Sequence, residues 1–393
     1  MFGALRLLLA YLVVVSHLVG TPYVAHFGYY AVRGFFVLSG FMMTSALNEV
    51  YAFDVVRFWT NRALRLLPPY YVVCLATLIV VAIAPDQASR FLKFWRGEPT
   101  LGDLVANFTV LPLQLPTAPF RLVPPFWSVA IEIDMYLLLF LIVSRRMAWA
   151  FIALCAGLSF QLVCTYDGLG RGVDYFTAPS AVFPFAIGAM LYFLRQREMW
   201  IAGPRAAGLA FILWLGNMAA GGALLPDAYV FGPGYLVDTI CIAVVVSGLA
   251  GLGDREPGAL ATSIDARLGE LSYFVFLSHW LAGFVVASVV LGGAWRGWTL
   301  LAASTPAIVL ASAAFARLNR VVIEPLRSRI RGRAMDSQGR AWLGVSPAVH
   351  AGDGEPRFVA FGARPEPLAV RTIRPGERTD SIPGPFQRPW APW

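Results

Sequence analysis

The chain has 393 residues, 58% of them hydrophobic and 14% charged, with a formal net charge of +8 and a mean hydropathy of +0.64. That balance excludes a soluble domain of this length, whose apolar share is roughly 45–50%. The basic excess lacks the concentrated soluble face that nucleic-acid binding needs, so it points to membrane topology and anionic lipid.

Apolar runs close to the spanning length of about 20 residues recur along the whole sequence. Ten are predicted, at 4–20, 31–47, 67–84, 125–143, 148–164, 180–194, 206–223, 235–251, 270–291 and 297–318. The expected fold is therefore all-α, a polytopic transmembrane bundle of about ten helices. The first run has one arginine and an apolar core like a secretory signal, but no small-x-small cleavage site follows, so it is read as a retained first span.

The first run, RLLLAYLVVVSH, carries Arg6 and His17. An eleven-residue step returns within about 20° of its start on a helix, which sets both side chains on one face about 16 Å apart. Ionisable groups within a span are costly and point to function. In the second run, YYAVRGFFVLSGF, the small residues Gly34, Ser39 and Gly40 favour close helix approach. Arg33, near its outer end, is the member expected to contact substrate.

RALRLLPPY follows, with Arg62 and Arg65 three apart on one face and Pro68 expected to start the next span. Two forked cations there suit phosphate groups as well as simple anchoring. The long connection 85–124 contains ASRFLKFWRG, a segment suited to lie flat in the headgroups. Next comes PPFWSVAIEIDMY. Ser128, Glu132 and Tyr136 share one helix face, about two turns inside the outer surface, while Asp134 points about 200° from Glu132. A carboxylate at that depth needs a partner, and a buried polar network with His17 is expected.

The four cysteines, Cys74, Cys155, Cys164 and Cys241, have neither pairing nor metal-ligand spacing, and no metal is expected. LSYFVFLSHW places His279 mid-span on the same face as Ser272. From about residue 331 the chain is rich in Pro, Arg, Gly and acids. Residues 1–330 are thus assigned to the membrane domain and 331–393 to a disordered cytoplasmic tail.

Arginines between the runs set the orientation. Arg57, Arg62 and Arg65, then Arg145 and Arg146, then Arg195, Arg197 and Arg205, and Arg320 onward fall on one side, which places both termini in the cytoplasm. Lys93 is the single lysine among 31 basic residues, a bias that fits a GC-rich bacterial genome.

These motifs, in this order from Leu5 to about Arg327, resemble the integral-membrane acyltransferases called acyltransferase family 3. The likeness rests on Arg6 and His17 with ten residues between them, GFFVLSGF at 34–41, RALRLLP at 62–68, WSVAIEIDMY, YFVFLSH at 273–279 and IEPLR at 323–327. Ala31, Phe276 and Glu324 depart slightly from the family pattern. The resemblance implies transfer of an acyl group, usually acetyl, from cytoplasmic acyl-CoA to a hydroxyl of a cell-envelope sugar or related acceptor in the bacterial inner membrane. It implies acyl-CoA as co-substrate without a resident cofactor.

On that reading Arg6, Arg62 and Arg65 bind the CoA phosphates. His17 is the general base, with Glu132 orienting it or stabilising its imidazolium. Arg33, Ser128, Tyr136 and His279 are expected at the acceptor. A transporter or flippase of a glycan or lipid is the alternative, although no internal repeat supports it. Acceptor identity, chain length of the acyl group and oligomeric state are not legible.

Overall fold

The ten apolar runs each become a long helix, because lipid leaves the backbone no other partner for its polar groups. The structure, a computed structural model, describes residues 2–329 except 116–118, 167–172, 174, 200–201, 226, 231, 254–257 and 294–295. The tail from 331 lies outside the described residues.

In chain order the helices are α1 (Gly3–Val19), α2 (Pro22–Ser45), α3 (Val55–Ile83), α4 (Pro85–Phe91), α5 (Leu101–Thr109), α6 (Trp127–Leu141), α7 (Met147–Tyr166), α8 (Ala178–Gln196), α9 (Pro204–Ala223), α10 (Asp227–Val230), α11 (Pro233–Gly253), α12 (Ala259–Val289) and α13 (Trp298–Val322). No strand occurs among the described residues. Among the described residues, eight helices are long and apolar enough to cross a membrane by length and composition, and α1 is a shorter apolar helix of 17 residues. The protein is a polytopic all-α membrane bundle.

α1 is the central element. It packs on α2, α12 and α13, and Leu9, Ala10, Val14 and Leu18 are fully buried. Lipid tails are as apolar as leucine, so close packing and polar contacts, rather than water exclusion, hold such helices together. One polar contact is decisive here. The Asp265 carboxylate of α12 accepts from the backbone N–H of Gly3 at 3.0 Å and of Ala4 at 3.1 Å. A neighbouring helix thus caps α1, satisfying two of its free donors and meeting the positive end of its dipole.

Several boundaries differ from those expected; α12, for one, begins at Ala259 and not at 270. The second span begins at Pro22, nine residues before the predicted start, because polar residues of that stretch find buried partners. His26 Nε2 lies 2.5 Å from the Met218 carbonyl oxygen, and Ser16 Oγ donates to the Ala25 carbonyl at 2.7 Å. The third span does not start at Pro68. α3 runs unbroken from Val55 through Pro68 and Pro69, so Arg62 and Arg65 lie within a helix and not in a loop. Prolines inside a spanning helix are tolerated where neighbouring groups serve the backbone. Here the Tyr273 hydroxyl donates to the Leu66 carbonyl at 2.6 Å, tying α12 to α3 at that level.

Gly40 allows a close crossing, as the sequence pattern predicts. A side chain there would run into the Phe185 backbone of α8. Beyond Ser45, α2 continues as a π-helical turn, Ala46–Tyr51, a widening that often accompanies functional sites. The described part of the 85–124 connection carries α4 and α5 and packs on the bundle. Trp95 is buried edge-on against Phe284 at 5.5 Å, and its Nε1–H donates to the Arg121 carbonyl at 3.0 Å.

Candidate active site

Two polar clusters occupy opposite ends of α1. At the end near Gly3, Arg6 is in electrostatic contact with Arg62 and Arg65 of α3 and with Glu132 and Tyr136 of α6. Arg62 Nη2 donates to Asn61 Oδ1 at 3.2 Å and to the Tyr51 hydroxyl at 3.4 Å. Arg6 and Arg62 also touch sulfur, Met42 Sδ at 2.6 Å and Met43 Sδ at 3.3 Å.

Glu132 accepts from Ser39 Oγ at 2.6 Å and from the Tyr136 hydroxyl. Three guanidinium groups therefore face one carboxylate, an excess of positive charge in a buried place. Arg62 Nε and Asn61 Nδ2 are buried with no hydrogen-bond partner among the described residues. Unmet buried donors are costly, and an oxyanion-rich ligand such as a phosphate would satisfy them.

At the other end, His17 Nδ1 lies 2.9 Å from His279 Nε2, with the two rings stacked at 5.2 Å. His279 is fully buried. Its Nδ1 lies 2.8 Å from the Phe276 carbonyl oxygen and 3.2 Å from that of Val275. Carbonyl oxygens only accept, so His279 Nδ1 carries the proton and Nε2 is the acceptor. In the neutral pair His17 Nδ1–H then donates to His279, leaving the lone pair on His17 Nε2. His17 is only partly buried. Trp280 packs on its ring at 5.2 Å, and Arg296 is in electrostatic contact with it.

The structure thus brings together Arg6, Arg62, Arg65, Glu132 and Tyr136, and separately His17 and His279. It does not bring Glu132 to His17. The reason is depth. α6 begins at Trp127, continuing a 3-10 turn, Pro124–Phe126, that is anchored by the Phe126 ring stacked on Tyr70 at 3.7 Å. Glu132 is therefore level with Ser39 on α2, near the arginines. The position beside His17 that the sequence assigned to a carboxylate belongs to His279.

Ser128 is buried and donates to the Pro125 carbonyl at 3.0 Å. Asp134 faces away from Glu132, as expected, and accepts from Gln114 Nε2 at 2.7 Å. Arg33 belongs to a third group. Its Nη2 donates to Gln161 Oε1 at 2.8 Å, and its guanidinium lies 3.7 Å from the centre of the Tyr235 ring. Asp238, held by Trp214 Nε1 at 2.5 Å, is in electrostatic contact with it.

Sequence reasoning gave Ser39 only a packing role and missed Asp265, Trp280 and Arg296. Ser39 and Trp280 sat inside the quoted motifs, and Asp265 and Arg296 carried no local signal.

Residues 2–317 match the acyltransferase domain family. Neither a curated protein nor a solved structure matches the chain. Its motifs, helical architecture and family match agree, and the chain belongs to acyltransferase family 3, whose members are multi-pass membrane acyltransferases.

Proposed function

We propose that the protein moves an acyl group, most simply acetyl, from acyl-CoA to a hydroxyl of a cell-envelope sugar or related acceptor, with His17 as general base. The observation that carries this reading is the division of α1. A phosphate-suited arginine cluster stands at one end, and about eleven residues or 16 Å along the helix stands a histidine with its free lone pair set by a neighbour. Pantetheine is long enough to join two such points. In this account Arg6, Arg62 and Arg65 hold the CoA phosphates on the cytoplasmic side, where both termini also lie, in a bacterial inner membrane. The acceptor meets the acyl group near His17.

The acceptor hydroxyl gives its proton to His17 Nε2, and its oxygen forms a bond to the thioester carbonyl carbon. The carbonyl electron pair moves to oxygen. Collapse of that tetrahedral species breaks the C–S bond, and the His17 proton passes to the departing sulfur, giving ester and CoA thiol. His279 accepts from His17 Nδ1–H throughout, which holds the ring and steadies the imidazolium. Glu132 acts at the donor end, spacing the guanidiniums and limiting their repulsion.

The test is CoA-thiol release and ester formation by the purified protein with acetyl-CoA and simple glycosides. Arg62→Gln should raise KM for acetyl-CoA about 10- to 150-fold, the loss of one charge-assisted contact of about 1.5–3 kcal/mol. An unchanged KM would remove Arg62 from donor binding.

A further inference from the structure

The transfer step creates a negative charge on the former carbonyl oxygen, and enzymes of this kind stabilise it with fixed donors in a dry site. His17 and His279 cannot serve. Once His17 is protonated, its Nε2–H is directed to the reacting oxygen and then to sulfur, and both nitrogens of His279 are engaged. The donor must come from elsewhere around His17.

Trp280 stands in the right place. It follows His279 on α12, is 4% exposed, and its indole Nε1–H has no hydrogen-bond partner among the described residues. A buried tryptophan normally finds a partner for that N–H, because leaving it unmet costs about 1–3 kcal/mol. The ring is fixed on both sides. His17 packs at 5.2 Å with 29° between planes, and Phe91 of α4 meets it edge-on at 5.8 Å.

Above the ring lies Arg296, its guanidinium carbon 4.8 Å from the centre of the Trp280 ring. Room for that side chain comes from Gly20, where φ is +67° and where any side chain would meet Arg296 Cδ at 2.7 Å. The loop is pinned by the Gly297 N–H, which donates to the Leu18 carbonyl at 2.9 Å.

Resting on the acyl-transfer reading above, we propose that the Trp280 indole N–H donates to the tetrahedral oxyanion, with the Arg296 cation reinforcing it from the rim. The unmet donor is then explained: it is satisfied only when the reaction supplies an oxyanion. The cation is placed where it opposes the negative charge of the transition state. A thioester of a small acyl group is the ligand this arrangement takes.

The experiment compares wild type, Trp280→Phe, Trp280 replaced by its benzothienyl analogue, Arg296→Gln and His17→Ala, all as full-length protein, by initial rates of CoA-thiol release from acetyl-CoA. The benzothienyl analogue keeps the shape of the ring and lacks only the N–H. Both Trp280 variants should lower kcat about 100-fold, the loss typical of one such donor, with KM for acetyl-CoA unchanged. Arg296→Gln should lower kcat about three- to tenfold, with a dependence on salt that the variant loses.

Full kcat in the benzothienyl variant would overturn the donor assignment while leaving the acyltransferase reading intact. A kcat loss in Trp280→Phe alone would also overturn it, since the defect would then be one of packing. Wild-type rates no higher than those of His17→Ala would overturn the acyltransferase reading, and this inference with it.

Discussion

Replacing His279 by phenylalanine keeps a ring in the bundle and removes the acceptor that lies 2.9 Å from His17 Nδ1. When His17 takes a proton, that hydrogen bond becomes charge-assisted, a class of contact worth about 1.5–3 kcal/mol. The cost therefore falls on the transition state, where it amounts to a kcat about 10- to 150-fold lower. The arginine cluster at the far end of α1 is untouched, so KM for acetyl-CoA should stay within about twofold. His279→Gln supplies a side-chain carbonyl acceptor in place of Nε2 and should recover much of the loss. Steady-state rates of thiol release from acetyl-CoA at saturating acceptor measure both parameters. A His279→Phe variant with unchanged kcat, or one whose loss lies entirely in KM, would refute the assignment of His279 as the group that orients His17.

Two further predictions concern the scaffold. Asp265→Ala removes the carboxylate that caps the Gly3 and Ala4 amides, and should cost about 1–2 kcal/mol of stability. The reading is the unfolding temperature in detergent, and no shift would count against a structural cap between α1 and α12. Asp103 lies outside the spans, in a capping box with Thr100 at the start of α5. Burial raises its pKa, but hydrogen bonds from the Thr100 side chain and from the Thr100 and Phe120 backbone outweigh this and hold it below the ordinary value of 3.8. A depressed carboxyl pKa stabilises the folded state above the unfolded value and loses that contribution as pH falls through the folded one. Acid unfolding below about pH 4 should therefore be milder in Asp103→Asn than in wild type relative to their stabilities at pH 7, and parallel acid profiles would contradict this.

The sequence carried the architecture well, because spanning helices announce themselves by length and apolarity. Each of the ten runs lies in a described helix. The boundaries that moved did so for local reasons. Pro68 reads as a helix start in isolation, yet α3 passes through it, with Tyr273 of α12 bonded to the Leu66 carbonyl at that level.

Within the candidate site, the spacing of Arg6 and His17 was legible from helical periodicity. Their partners were not, since these come from other helices, α3, α6 and α12, whose depth depends on where each begins. Glu132 shows the difficulty. Its face on α6 was readable, but its level was not, because that depends on how α6 packs against α2, where Ser39 donates to it. His279 was visible as a histidine mid-span on the face of Ser272, and only the fold sets its Nε2 beside His17.

The most direct test of the account is acyl transfer by membranes carrying wild-type protein or His17→Ala at matched expression, given radiolabelled acetyl-CoA and their own envelope glycan. The account predicts base-labile label on the glycan with wild type and loss of that label with His17→Ala, while acetyl-CoA binding at the arginine cluster is retained. Equal label in the two would contradict it, for then His17 would not be the base.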